Sequence, residues 1–432
     1  MKTGKMPGSR LFRFGGGGGI LRRGRLLALA ILGPVFCFVS CAEKKAGDPS
    51  SAAPAVDVVQ AIDAAPAVDA ASAADAGELR FYEYKKKRLN YPPKGEDFPY
   101  NFKGLKDVRI VEALTGEYSI NRTLSNYRVF GTDLGIIFDR GEEIFIAFGD
   151  TFSGPGFTGD WRSNVLAVSS DRDASDGILF DRMISTKLNR NAIELLHARR
   201  QDNIEMTVIP TGGFSIGDTL YLCYMSVRHW GEPGKWDCNY GGLARSRNNG
   251  QSWEKLESPR WDGQGIFVQL CPVKYQGYVY FYGIGGGRTG PVGLMRVRED
   301  RVEDKSAYEY FSGFEENLPL YKSGEGAEEN AARVIPGPAG ELSVMYSPYV
   351  DEWLISYLAA ENLIMRSSKT LEGPFSAAHI IAKQSDYPGL YGAFMHPVYT
   401  KEGGKTVYFL TSFYAPIYNV AVMGAELVKQ DP

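Results

Sequence analysis

The chain has 432 residues, a net charge of −3, 23% charged residues and 44% hydrophobic residues. That balance excludes the basic character of nucleic-acid binders and the low hydrophobicity of a wholly disordered chain, and it leaves ample material for a large core. Fifty glycines beside 25 Tyr, 23 Phe and 6 Trp favour strands and tight turns over helix bundles.

Residues 1–40 read as a lipoprotein signal peptide. The start carries Lys2, Lys5, Arg10, Arg13, Arg22, Arg23 and Arg25 without an acid, and LLALAILGPVFCFV at 26–39 is apolar but too short to span a bilayer comfortably. Ser40-Cys41 follows, so Cys41 is the expected lipidated residue. A buried apolar segment with a chance Cys is the other reading. Residues 41–79 are an Ala/Asp/Pro-rich tether with PAVD twice and no aromatics between 42 and 78; such a stretch buries no core and is expected to be disordered. The expected location is the cell envelope of a Gram-negative bacterium, as an outer-membrane or surface lipoprotein. The rest of the chain keeps Cys223, Cys238 and Cys271. They have no metal-ligand spacing and read as free or buried thiols, with one disulfide as the alternative.

Residues 80–432 form the folded domain, with strand-type runs and almost no helical periodicity. Five hairpins share one plan, an inner strand, a polar turn and a very apolar second strand. They turn near residues 141, 217, 276, 351 and 403. Four are followed by a further strand and an outer hairpin. SRNNGQSW at 246–253 resembles a structural turn of sialidase-type propellers, with Asn248 replacing an Asp. Radial repetition of four-stranded units protects sheet edges, so the expected fold is all-β, a five-bladed β-propeller; a β-sandwich is the alternative.

The first hairpin, GTDLGIIFDRGEEIFIAFGDTF at 131–152, carries Asp133 and Asp150 at its open end. Pairing about the turn at 141–142 sets 138 against 145 and Asp133 directly against Asp150, with Cβ atoms about 5 Å apart. Two such carboxylates can serve as general acid and base, although an Asp at a strand end can also cap a turn. The loops at that end hold Trp161, Trp230 and Trp236, with Arg162, Arg228 and Arg288. Indoles stack on sugar rings, while Arg and Asn residues, here Asn164 and Asn239, bond hydroxyls. Arg288 could instead neutralise a buried acid. His396 reads as a pore-lining polar group, also counted among the substrate-binding candidates, rather than a zinc ligand, because no HExxH or Cys/His cluster is present. The acidic turn 169–177 reads as a solvated outer hairpin, with calcium as the alternative. No cofactor and no metal are expected. The expected partner is a polysaccharide, and the chain is expected to be monomeric.

The ordered motifs GTDLG, FGDTF, WRSNVLAVSSD, EMTVIPTGG, YMSVRHWG, NYGGLARSRNNGQSW, GYVYFYG, GGGR and LYGAFMHP resemble a bacterial family of unknown function that includes endo-D-arabinanases (glycoside hydrolase family 183). The resemblance covers roughly residues 105–428. It implies a five-bladed propeller that cuts α-linked D-arabinofuranose chains with inversion, through an acidic pair that falls on Asp133 and Asp150. It also implies a third, tuning acid, for which Glu205 is the match. On this reading Asp133 is the general base and Asp150 the general acid. A glycan-binding or adhesion propeller without catalysis, and a protein-interaction scaffold, are the rival readings.

Overall fold

Five antiparallel sheets, four of four strands and one of six, follow one another in the computed structural model, which describes residues 80–91 and 99–430. The expected signal peptide, Cys41 and the tether lie outside the described residues. The inner strands are Leu134–Arg140, Thr207–Ile216, Gln269–Tyr275, Ser343–Ser347 and Leu390–Lys401. Each contacts the inner strands of both neighbours, one to two, two to three and on to five against one, so the ring closes. This is the five-bladed β-propeller, with every hairpin turn where the apolar runs place it. Blade three carries extra outer strands, Leu318–Lys322 beyond Glu309–Glu315 and Arg333–Ile335 beside Val292–Arg298.

The second strands are almost wholly buried. Ile144, Phe145, Ile146, Ala147 and Phe148 are all fully buried, as are Val165, Leu166, Ala167 and Val168 of the third strand. Both faces of these blades pack against neighbouring blades, so the runs are continuous rather than alternating. Near the axis the blades come very close. A Cβ on Gly213 would stand 2.3 Å from the Phe138 ring, so blade two can approach blade one there only with glycine.

Blade five is completed by the N-terminal part of the domain. Phe102–Ala113 pairs antiparallel with the last strand, Asn419–Lys429, setting Ile110 against Met423 and Ala113 against Ala421. The first and last strands of the domain therefore share one sheet, and the ring is closed by hydrogen bonds rather than by packing alone. The fully buried Glu352 of blade four ties the same strand down, accepting from the amides of Asn101 at 2.6 Å and Phe102 at 3.1 Å. Residues 80–91 continue onto blade five, where Tyr84 packs edge-on against Tyr387 at 5.5 Å.

The acidic turn at 169–177 packs against blade five rather than standing free. Asp173 pairs with Lys401 at 2.6 Å, which draws its carboxyl down to about 2, and the Asp171 carboxylate accepts from the amides of Asp173 and Leu179. SRNNGQSW is a self-bonded turn: Ser246 Oγ accepts from the Gly250 amide, and Asn248 Oδ1 from the Ser252 amide. Cys223, Cys238 and Cys271 are free, buried thiols. Among the described residues no group of three His, Cys, Asp or Glu is arranged to hold a metal ion.

Candidate active site

The first hairpin departs from simple pairing at its open end. Phe138 lies opposite Phe145 as expected, but Leu134 lies opposite Phe148, because the register slips between Leu134 and Ile136. Leu134 and Gly135 both take positive φ, 67° and 104°, the mark of a bulge that adds one residue to the inner strand. Asp133 therefore lies across from Gly149, whose amide donates to the Asp133 carbonyl at 3.1 Å. Asp150 stands one residue further on. The direct cross-strand pairing of the two aspartates is thus corrected to a staggered one. Both still line one cavity of about 90 Å³ at this end of the axis, with Trp230, Trp236, Arg288 and Glu341.

Each carboxylate is held by donors from other blades. Tyr391 Oη, at the start of the blade-five inner strand, donates to Asp133 Oδ2 at 2.7 Å, and the Tyr418 hydroxyl stabilises the same group. Asp150 Oδ1 accepts from Trp161 Nε1 at 2.8 Å and from Thr207 Oγ1, at the start of the blade-two inner strand, at 2.7 Å. Burial dominates both titrations by disfavouring the charged form. It raises Asp133 to about 6, with Glu341 adding to the rise while the tyrosine donors and Arg288 oppose it. It raises Asp150 to about 7, against its two donors and with the Asp133 charge adding to the rise. Two nearby carboxyls with unequal protonation are the arrangement that acid–base catalysis needs.

Arg288 and Glu341 form the next layer. Arg288 Nε donates to Glu341 Oε1 at 2.7 Å and its Nη2 lies 2.5 Å from the same oxygen. The guanidinium also lies over Tyr391, 4.8 Å from the ring centroid, and over Trp236 at 5.6 Å. Arg288 thus neutralises a buried acid and lines the cavity as well. Trp230 packs edge-on against Trp236 at 5.5 Å and remains 37% exposed, so an indole faces the mouth.

The structure gathers Asp133, Asp150, Trp230, Trp236 and Arg288 around the cavity, with Trp161 behind Asp150. It does not gather the remaining candidates. Arg162 is buried and donates to the carbonyls of Ala192 and Arg128. Asn164 is fully buried, bonding the Leu195 and Leu196 amides and the Val208 carbonyl. Asn239 donates to the Ile204 carbonyl and Ser226 Oγ. These three hold backbone together, and a ligand would have to break those bonds to reach them. Arg228 pairs with Asp237 across the exposed ends of the paired strands Thr219–Trp230 and Trp236–Ser246. His396 lines a different cavity of about 310 Å³ at the opposite end of the axis, beside Asp139. Glu205 precedes its strand in a turn closed on Gln201 and does not line the cavity, accepting instead from Ser226 Oγ at 2.8 Å with Lys255 at 3.5 Å. Thr207, two residues later, takes the place beside Asp150.

The domain of unknown function DUF4185 matches residues 118–424. The chain belongs to this family. No curated protein matches it. Among solved structures, this DUF4185 chain is similar to a presumed hydrolase from Bacteroides ovatus, with 13% identity, a TM-score of 0.50, and coverage of 80% of this chain and 94% of that one. It is similar to a family 117 glycoside hydrolase from Zobellia galactanivorans at 12% identity and TM-score 0.44, over 77% and 92% of the two chains. An exo-β-1,3-galactanase from Phanerochaete chrysosporium follows at 8% identity and TM-score 0.46, over 73% and 63%. At these identities the first likeness speaks for the shared fold.

Sequence reasoning missed Tyr391, Tyr418, Thr207 and Glu341. A usable signal existed for three of them. Thr207, Glu341 and Tyr391 stand at the start of an inner strand or within two residues of it, as Asp133 does, and in a propeller such positions converge on one end of the axis.

Proposed function

We propose that this DUF4185 protein is a glycoside hydrolase that cuts a furanosyl polysaccharide, D-arabinan, within the chain and with inversion. The observation that carries this reading is the convergence of Asp133 and Asp150 on one indole-lined cavity, each held by donors from another blade and each raised by burial. Asp150 is the general acid. Its Oδ1 already accepts two hydrogen bonds, which leaves Oδ2 to carry the proton. Asp133, stabilised as an anion by Tyr391, Tyr418 and Arg288, is the general base. In the reaction Asp150 protonates the glycosidic oxygen as its bond to the anomeric carbon breaks. A water attacks that carbon from the other face and yields its proton to Asp133. Trp230 and Trp236 supply faces for the sugar rings. The resemblance of the first-blade motifs to the endo-D-arabinanases supports the choice of substrate.

The same proposal places the protein on the cell envelope through a lipid on Cys41. Cys41→Ser is expected to release the chain from membranes.

Incubation of the protein with arabinans, galactans and fructans, followed by product sizing, tests the reading. Mid-sized fragments from D-arabinan are expected. Binding without fragments would favour the adhesion reading instead.

A further inference from the structure

The axial cavity, about 90 Å³, falls well short of the roughly 300–1,000 Å³ that ligand pockets occupy. A polymer cut at Asp133 and Asp150 must therefore lie mostly outside it. A second hollow begins on the same hairpin. Gly131 and Phe152, joined by a backbone bridge just beyond the two aspartates, form part of its wall. It encloses about 140 Å³ along the seam between blades one and five.

Its walls are rings that trace back to both carboxylates. Tyr418, which stabilises Asp133, lies 4.9 Å from Phe157. Phe157 lies 5.5 Å from Phe152, which stacks on Trp161 at 6.0 Å and 14°, and Trp161 donates to Asp150. On the other side Tyr414 lies 6.3 Å from Tyr391, the donor to Asp133. Tyr414 and Phe157 are 51% and 55% exposed. Contiguous exposed apolar surface is one setting in which ligand grooves occur. Phe157 also holds φ at +61°, a left-handed conformation that a bulky residue seldom adopts and that is common where a loop serves a ligand. Beyond this hollow, Phe130 and Ile417 are shared with a third one of about 170 Å³, where Tyr82 and Tyr118 are exposed. Among the described residues, no Lys, Arg, Asp or Glu lines the 140 Å³ groove.

We propose that the groove at the seam of blades one and five binds the sugar residues that continue from the cleaved bond, and that it selects an uncharged glycan chain. This rests on the glycosidase reading and adds to it where the chain lies and what it cannot carry. Aromatic faces hold the apolar faces of sugar rings, and a groove without cations offers uronate or phosphate groups no partner, so burying their charge there is costly.

The test uses Tyr414→Ala and Phe157→Gly; the glycine relieves the left-handed backbone, so the fold is retained. Cleavage of D-arabinan is compared with cleavage of a 4-nitrophenyl arabinofuranoside that reaches only the axial cavity. The ratio of polymer to short-substrate kcat/KM is expected to fall at least about tenfold in each variant, because truncating a central aromatic contact costs a factor of that order. Calorimetric titration of D-arabinan oligosaccharides is run in parallel. Weaker binding in both variants would uphold the groove even where the wild type cleaves nothing, which would refute the glycosidase reading alone. A ratio and an affinity that both stay at wild-type values would overturn the groove. So would equal affinity for a carboxylated glycan.

Discussion

Gly149 sits directly beneath the Asp133 carboxylate: a Cβ built on it would lie 2.3 Å from Asp133 Oδ1. The bulge at Leu134–Gly135 creates this relationship by setting Asp133 across from Gly149. The absence of a side chain there is what allows the carboxylate to lie down toward the axis. Gly149→Ala is therefore expected to push Asp133 out of place. Activity should drop by at least about 10²-fold, the low end for losing general base help, while Asp150 keeps its donors. Rates on D-arabinan, with circular dichroism to confirm the fold, check this.

The activity should depend on pH as a narrow bell. In the proposed reaction the productive form has Asp133 ionised and Asp150 protonated, and burial raises the two carboxyls to about 6 and about 7. Below about 6 the base is lost, and above about 7 the acid is lost. The profile of kcat/KM should peak near about 6.5, the midpoint of the two. In Asp133→Asn the acid limb should disappear from the residual rate.

Stability should follow the same groups with the opposite sense to a paired surface carboxylate. Asp150 rises from 3.8 to about 7 on folding, so between these values the folded chain holds a proton that the unfolded chain has lost. Stability therefore declines as pH rises through that window, and the cost is complete above it. Asp150→Asn keeps an oxygen for Trp161 and Thr207 and removes the buried charge. Its denaturation midpoint should exceed wild type at pH 8 and match it at pH 4.

Arg288 should matter for both stability and the acid limb. Arg288→Met leaves Glu341, only 8% exposed, without its cation. The expected loss is about 3 kcal/mol, the low end for breaking a buried pair, because the Arg288 side chain is 27% exposed. The acid limb should also move to higher pH, since a cation that favours the Asp133 anion is gone. Adding Glu341→Gln should restore much of the stability, a coupling that a double-mutant cycle measures.

The architecture was legible because the blades are built from local hairpins. Runs such as LGIIF and IFIAFG state their own pairing, and all five turns fell where expected. What escaped was non-local. The outer strand of blade five comes from Phe102–Ala113, hundreds of residues from its partner, and no pattern within either segment announces the pairing. The one-residue slip at Gly135 escaped as well, since a bulge depends on φ angles rather than hydrophobic alternation. Among the candidate residues, loop chemistry alone could not separate Trp236, which faces the cavity, from Asn164, which spends its amide on backbone partners. Glu205 and Thr207 stand two residues apart, and only the turn closed by Gln201 decides which of them reaches Asp150.

The central claim is that Asp133 and Asp150 perform acid–base chemistry on a glycan. Reducing ends released from D-arabinan, measured for wild type, Asp133→Asn and Asp150→Asn at pH 6.5 with melting curves on the same samples, test it most directly. Release by wild type, a loss of at least about 10²-fold in each variant, and folded proteins throughout are expected. Release at wild-type rates by both folded variants would contradict it.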